Sequence, residues 1–290
     1  MYCFVLLVSY FLEFQTFYVV SLEFNSLLFY SFFLFKNNFI QSMKMLTIKG
    51  YPGRFGNQVF RNLAFSYISK NNNINIEYDN PEKTKLLGFE LFIVNNIVSR
   101  NDNLEYIGDD NFMKYITDDN YKTCNFEIKT RDTYCQSKEF VLFLYEQYYN
   151  NINEKKKLIK ANNFKKRYNN NNDVFIHIRL GDVTHFNAGI KYYESIIKKI
   201  NFDCGYISTD TPNHPMIKYL TDKYQLYLIC YDEIKTIHFA STCKYLILSQ
   251  GTFSWLIGFF GFYSQIYYPK IKHKWHGDIF VIPHWQEVDW

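Results

Sequence analysis

The chain's 290 residues, 48% of them hydrophobic, can bury one large core or two of moderate size, which excludes disorder throughout. With 32 basic and 28 acidic residues the formal net charge is +4, too balanced for a nucleic-acid binder, while acidic small ligands stay open. The excess of Phe, Tyr, Asn, Ile and Lys follows A/T-rich codons, so single aromatic residues say little about function.

Residues 1–40 are strongly apolar but are interrupted by Glu13 and Glu23, so no clean span of ~20 uncharged residues exists. The basic flank that opens a signal peptide is missing; Lys36 and Lys44 follow the apolar part. Two readings of residues 1–42 stand: a membrane-associating anchor, or upstream sequence from a misassigned start, with Met43 or Met45 as the beginning. The six cysteines (Cys3, Cys124, Cys135, Cys204, Cys230, Cys243) include no C-x-x-C pair and mostly sit in apolar runs, as reduced core thiols would. An Asn-rich chain without one Asn-x-Ser/Thr sequence points the same way, to a reducing, cytoplasmic setting, or to membrane association if residues 1–40 are present.

Met45–Lys49 reads as a first strand and residues 50–58 as a turn-rich loop. A helix follows, with Val59, Phe60, Leu63, Ala64, Tyr67 and Ile68 on one stripe, and then a strand at 74–78. The glycine spacing fits neither G-x-G-x-x-G nor the P-loop, which argues against a dinucleotide dehydrogenase or a P-loop NTPase. Residues 80–150 hold short strands and helices whose order the sequence does not give, including an aromatic helix around Phe140–Tyr145. Between 150 and 173 the chain turns to Asn and Lys, a polar helix with a low-complexity tail, and the domain boundary is placed there. The expected division is 1–42, 43–150, a linker at 151–172, and 173–290.

The run Val174–Ile178 then delivers His177 and Arg179 to one face of a strand end, with Gly181 turning the chain and Asp182 close by. Such an edge suits a phosphate, because Arg offers planar bidentate recognition. A solvated Arg–Asp pair at a strand end is the plain alternative. Downstream the pattern alternates: helix 188–200, strand 204–208, helix 212–224, strand 226–230, helix 232–242, strand 245–248, helix 252–263, strand 266–268. Alternation predicts a parallel sheet. Polar residues gather after successive strands (Arg179 and Asp182, Ser208 to Asp210, Tyr231-Asp232, Ser249 to Thr252), so one crevice can receive four loops. Thr252 and Ser254 start a helix whose free N–H groups suit a diphosphate, and ordinary capping explains Thr252 equally well.

Three segments together resemble the α-1,2-fucosyltransferases, glycosyltransferase family 11, which use GDP-fucose. They are Gly53-Arg54-Phe55-Gly56-Asn57-Gln58, His177-Ile178-Arg179-Leu180-Gly181-Asp182 with Tyr192-Tyr193 behind it, and Cys243-Lys244-Tyr245 with Gln250-Gly251-Thr252-Phe253-Ser254-Trp255. Ile207-Ser208-Thr209-Asp210 and the ending Ile282-Pro283-His284-Trp285 are similar to further family segments, and the likeness covers about residues 45–290. Protein O-fucosyltransferases carry a similar first loop. Leu180 stands where the family has a second Arg, Gln250-Gly251 replaces Asn-Ser, and Leu256 replaces a second Trp.

The resemblance implies an α/β fold of GT-B type, two Rossmann-like domains with the donor site in the cleft between them, and inverting transfer from GDP-fucose to a sugar hydroxyl of a glycan. It implies no metal, and the chain has no Asp-x-Asp pair to hold one. Arg179 is the expected stabiliser of the leaving diphosphate. His177 either orients Arg179, bonds the nucleotide or is structural; Asp182 either accepts the acceptor's proton or holds Arg179. Donor contacts are expected from Gly53, Arg54, Gly56, Asn57, Gln58, Ser208, Asp210, Thr252, Phe253 and Ser254. The rivals are another GDP-sugar transferase acting on protein hydroxyls and a non-catalytic carbohydrate- or nucleotide-binding protein.

Overall fold

The computed structural model of the chain describes residues 46–47, 53–72, 76–93, 104–121, 125–128, 133–272 and 277–290. The expectations for residues 1–42, Cys3 and Cys124 lie outside the described residues. Up to residue 150 the elements are β1 (Leu46–Thr47), α1 (Phe55–Asn72), β2 (Ile76–Glu77), α2 (Pro81–Leu86), β3 (Leu104–Ile107), α3 (Phe112–Thr117), β4 (Asn125–Ile128) and α4 (Lys138–Leu144), which runs on into a wider π-type turn at Tyr145–Asn150. β1 pairs with β2, and β3 with β4, both in parallel.

Residues 55–58, expected in a loop, are instead the first turn of α1: the Arg54 carbonyl accepts the N–H of Asn57 (2.9 Å) and of Gln58 (3.3 Å). α1 is buried almost all round, including the side chains of Arg61 and Asn62. Asn62 tolerates this because its amide donates to the Asp79 carbonyl (2.6 Å) and to Thr84 Oγ1 (2.9 Å), tying α1 to the start of α2. Phe60 lies 4.7 Å, centroid to centroid, from Trp255, which joins the N-terminal elements to the later helices.

The Asn/Lys-rich stretch carries α5 (Ile152–Ala161), whose N-terminus is capped by the Asn151 side chain accepting from Asn153 and Glu154 N–H. Beyond α5 the chain is strapped down rather than loose. Buried Asn162 donates to the His238 carbonyl (2.9 Å), and Arg167 bonds Asp173 at 2.6 Å and Thr242 Oγ1 at 3.2 Å. Leu46–Trp290 gathers as one compact unit.

From Val174 on, strands and helices alternate: β5 (Val174–Ile178), α6 (Gly189–Ile197), β6 (Gly205–Thr209), α7 (Pro215–Tyr224), β7 (Tyr227–Leu228), α8 (Glu233–Ala240), β8 (Tyr245–Ile247), α9 (Thr252–Phe259), β9 (Gln265–Pro269) and β10 (Gln286–Val288). The strands form the expected parallel sheet in the order β10-β9-β8-β5-β6-β7, with β10 an addition that the sequence pattern did not signal. From β5 the chain builds outward through β6 and β7, then crosses back to lay β8, β9 and β10 on the other side. That is a doubly wound, Rossmann-like order, whose switch point lies between β5 and β8.

β5 is apolar apart from His177 because both its faces are covered. Val174, Ile176, Ile178 and Leu180 share a cluster with Tyr192, Tyr193 and Ile196 of α6 and with Ile217 and Leu220 of α7. Phe175 belongs to the opposite cluster, with Ile237 and Phe239 of α8 and Trp255 and Phe259 of α9. Each such aliphatic side chain contributes roughly 1.5–3 kcal/mol by leaving water. Among the described residues no helix is long and apolar enough to cross a membrane. The described cysteines are unpaired; Cys135 and Cys243 are buried, but Cys230, expected as a core thiol, is exposed after the short edge strand β7.

Leu180, where the resembling family has Arg, is 2% exposed in the α6/α7 cluster. Leu180→Arg should therefore lower the unfolding free energy by roughly 3 kcal/mol or more, because it forces a charge into an apolar layer. Urea denaturation measures this, and wild-type stability would show that the position opens to water.

Candidate functional site

Parallel pairing brings the carboxyl ends of β5, β6 and β8 to one edge of the sheet. His177 lies opposite Ser208, and Ile178 opposite Thr209, so Asp210 follows directly beside the turn after β5. Asp210 Oδ1 accepts the backbone N–H of Leu180 (2.9 Å) and of Gly181 (3.1 Å), while Oδ2 accepts from Arg54 Nη1 at 2.8 Å. Burial alone would raise this carboxyl, but Arg54 and the two N–H groups outweigh it and hold Asp210 down at about 2. Gly181 has no room for a side chain: a Cβ there would lie 2.7 Å from Asp210 Oδ2.

The other terminal nitrogen of Arg54 reaches Asp182 Oδ1 at 3.0 Å, and Arg179 Nη2 lies 3.2 Å from both Asp182 oxygens. Two guanidinium groups and two carboxylates thus interlock at the carboxyl edge of the sheet, beside the turns after β5 and β6, one of the four coming from a residue 156 positions from its partner. The side chains of Arg54 and Asp182 are about half exposed, whereas that of Arg179 is 13% exposed. Burial lowers the Arg179 guanidinium and Asp182 opposes that shift, and an Arg so placed stays charged at neutral pH. The backbone of Arg179 is clamped too: its N–H donates to Ser249 Oγ (3.1 Å) and its carbonyl accepts from Asn187 Nδ2 (3.1 Å).

His177 leaves β5 on the side of α9 and is buried. Its Nδ1 lies 2.6 Å from Ser254 Oγ and 3.4 Å from Ser249 Oγ, with the two hydroxyls 3.0 Å apart. Burial pushes its imidazole down to about 4, against the pull of Asp210, so the ring is neutral at pH 7. The ring orders Ser249, and Ser249 receives the Arg179 N–H; His177 therefore positions the turn that carries Arg179.

Gly251, at φ 110°, precedes α9 in a backbone geometry that favours glycine, and no side chain caps the helix. Thr252 Oγ1 does not cap; it donates to Asn57 Oδ1 at 2.7 Å, and Gln136 Nε2 donates to the same oxygen at 3.0 Å. Gly56 comes so close that a Cβ would lie 2.6 Å from Thr252 Oγ1 and 2.8 Å from the Phe253 nitrogen. The start of α1 thus closes on the turn expected to face a diphosphate. Gln58 braces its own segment, donating to the Gly53 carbonyl (2.9 Å) and accepting from Asn80 (2.9 Å). The ring of Phe253 lies 5.2 Å from that of His177.

The structure therefore brings Arg54, His177, Arg179, Asp182, Ser208, Asp210, Thr252 and Ser254 to one edge and uses Gly56, Asn57 and Gln58 to pack α1 against it. The Tyr231-Asp232 loop expected there has a different use, since Asp232 caps α8 by accepting the Lys235 N–H at 2.7 Å. Gln136 and Asn187 were not anticipated. Nothing in the sequence links Gln136 to Asn57, but Asn187 accepts the Gly189 N–H at 2.8 Å in a local turn of the kind that Asn two residues before Gly signals. Among the described residues no group of three or more His, Cys, Asp or Glu side chains gathers in a way that would hold a metal ion.

The neutral, buried His177 makes stability depend on pH. The unfolded chain takes up the proton near pH 6.5 and the folded one only near 4, so this contribution is intact above 6.5 and is lost as the pH falls toward 4. Buried His238, also pushed down to about 4, acts in the same direction. Urea unfolding at pH 7 and pH 5 should show a loss of stability that shrinks in His177→Gln, and an unchanged slope in that variant would place the proton elsewhere.

In comparisons with known proteins, no family model matches this chain and no curated protein matches it.

Proposed function

We propose that the protein is a glycosyltransferase that uses a nucleotide diphosphate sugar, specifically a GDP-fucose-dependent α-1,2-fucosyltransferase that inverts the anomeric carbon, transfers to a sugar hydroxyl of a glycan, and works without a metal in a reducing, cytoplasmic setting. The observation that carries this reading is convergence: Arg54 of the first resembling segment meets Asp182 of the second and Asp210 after β6, while Asn57 meets Thr252 of the last. Doubly wound sheets take ligands outside the carboxyl ends of their strands, the edge on which these contacts lie. In the same reading residues 43–150 and 173–290 are the two halves of a GT-B arrangement, with the donor between them and residues 151–172 joining them.

As the glycosidic bond breaks, negative charge grows on the β-phosphate, and Arg179 stabilises it more strongly in the transition state than in the ground state. A diphosphate competes with Asp182 for Arg179 Nη2, and the carboxylate it releases is then the nearest acceptor for the proton of the attacking hydroxyl. Arg54 steadies that carboxylate from the other side. The rival reading, a nucleotide-sugar-binding protein without transfer, draws on the same contacts, since both oxygens of Asp182 are already engaged.

GDP, and more strongly GDP-fucose, should raise the melting temperature, because a ligand that binds only the folded state adds to its stability; UDP should not. Transfer should survive EDTA. Stabilisation by UDP-sugars alone would sink the donor assignment, and donor binding with neither transfer nor hydrolysis would favour the rival.

Arg179→Lys keeps the charge but loses the fork, so turnover should fall at least ~10-fold, and ~100-fold or more in Arg179→Ala, with donor affinity falling less. Steady-state kinetics and calorimetry separate these effects. A folded, fully active Arg179→Ala protein would end this mechanism.

A further inference from the structure

Arg179, Val183, Phe186, Asn187, Ser249 and Gln250 line a small cleft with about 10 Å³ of water-sized space. That is room for one hydroxyl, not for a ring. Gln250 is 5% exposed, and its carbonyl oxygen Oε1 has no hydrogen-bond partner among the described residues. The cleft's other neutral polar side chains are already spent. Asn187 donates to the Arg179 carbonyl and to Tyr193 Oη and accepts from Gly189 N, and Ser249 Oγ receives the Arg179 N–H and lies against Ser254 and His177.

An unpaired buried carbonyl opposes folding, and a Met of the same length would fill the position without that cost. What the carbonyl can do and Met cannot is accept a hydrogen bond from a ligand. Its partner must present O–H or N–H, which excludes an ionised phosphate oxygen as the group it meets. Next to a guanidinium suited to a diphosphate, the neighbouring donor in a nucleotide sugar is a hydroxyl of the transferred sugar.

We propose that Gln250 is a specificity residue whose Oε1 accepts a hydrogen bond from a sugar hydroxyl of the donor, beside the diphosphate at Arg179; this rests on the nucleotide-sugar reading above. A position that departs from the resembling family thereby acquires a task, discrimination between a nucleotide and its sugar conjugate. Sites built to hydrogen-bond a hydroxyl select strongly against ligands that lack it, because the buried partner is then left unpaired.

The test is titration calorimetry and thermal unfolding of the full chain with GDP and with GDP-fucose, for wild type, Gln250→Met and Gln250→Glu. Gln250→Met should unfold at or above the wild-type temperature without ligand and bind GDP as wild type does. Its affinity for GDP-fucose should fall roughly tenfold, the loss of one buried hydrogen bond. Gln250→Glu keeps an acceptor oxygen and should preserve the wild-type ratio of GDP-fucose to GDP affinity while weakening both, and it carries the test if Gln250→Met does not fold. Equal loss for GDP and GDP-fucose in Gln250→Met, or no loss for either, overturns the proposal while the nucleotide-sugar reading stands. A wild-type protein that binds neither ligand removes both.

Discussion

Asp210 holds three separated pieces of chain with one carboxyl group. It satisfies two backbone N–H groups in the turn after β5, and it ties that turn to Arg54 at the start of α1. Without it the turn would leave two donors without this acceptor, and Arg54 would lose its shortest ion pair. Because Gly181 is pressed against the same carboxylate, no other residue fits there without moving the pair. The position of Arg179, between this turn and the Ser249 hydroxyl, follows from that anchoring. A permanently charged side chain only 13% exposed is held by backbone clamps at both its N–H and its carbonyl. Clamping of this kind is how a site keeps its geometry when a ligand arrives.

Where packing dictates composition, the sequence was legible. β5 is covered on both faces, so its run of apolar residues announced itself, and the alternation after it predicted a parallel sheet whose carboxyl edge carries the charges. The boundaries shifted inward by a few residues: the helix expected at 252–263 ends at Phe259, and the strand at 226–230 shrinks to Tyr227–Leu228 on the sheet edge. What stayed hidden depends on distant contacts. Gly56 reads as a loop glycine until α9 is seen pressed against it, and Gln136 has no local signal because its partner Asn57 is 79 residues away. The Asn-rich stretch before β5 looked like low-complexity tail, yet Asn162 and Asn171 each bond the C-terminal end of α8 or the turn beyond it. Composition counts amides and is silent on whether they meet carbonyls.

Four residues depart from the resembling family; Leu256 is a fully buried core residue of α9, and the other three have different physical causes. Leu180 points away from the edge into the α6/α7 core, so an apolar residue there serves the fold. Gly251 occupies a positive φ at the entry to α9, so a residue without a side chain avoids backbone strain. Gln250 has neither reason. It fills a buried position with an amide whose oxygen has no partner among the described residues, a choice that packing and backbone geometry do not favour. Residues that oppose stability and persist are where a site most often shows itself.

The charges at the edge set a condition on any anionic ligand. Arg54 and Arg179 are balanced by Asp182 and Asp210, so the cluster carries no net charge to attract a diphosphate from a distance; selection has to come from exchange at contact. The two carboxylates are unequal in this exchange. Asp210 is tied to backbone N–H groups that cannot leave, whereas Asp182 is about half exposed and, among the described residues, is held by the side chains of Arg54 and Arg179. A diphosphate that took the Arg179 fork would therefore part Asp182 from Arg179 and leave Asp210 in place, so the anchor of the turn would survive ligand binding while the more exposed carboxylate kept Arg54 alone of its two guanidinium partners. Under the proposed transfer reaction, binding of the anion and release of a proton acceptor would be one event, and the edge would gain reactivity only when the group that leaves is already held.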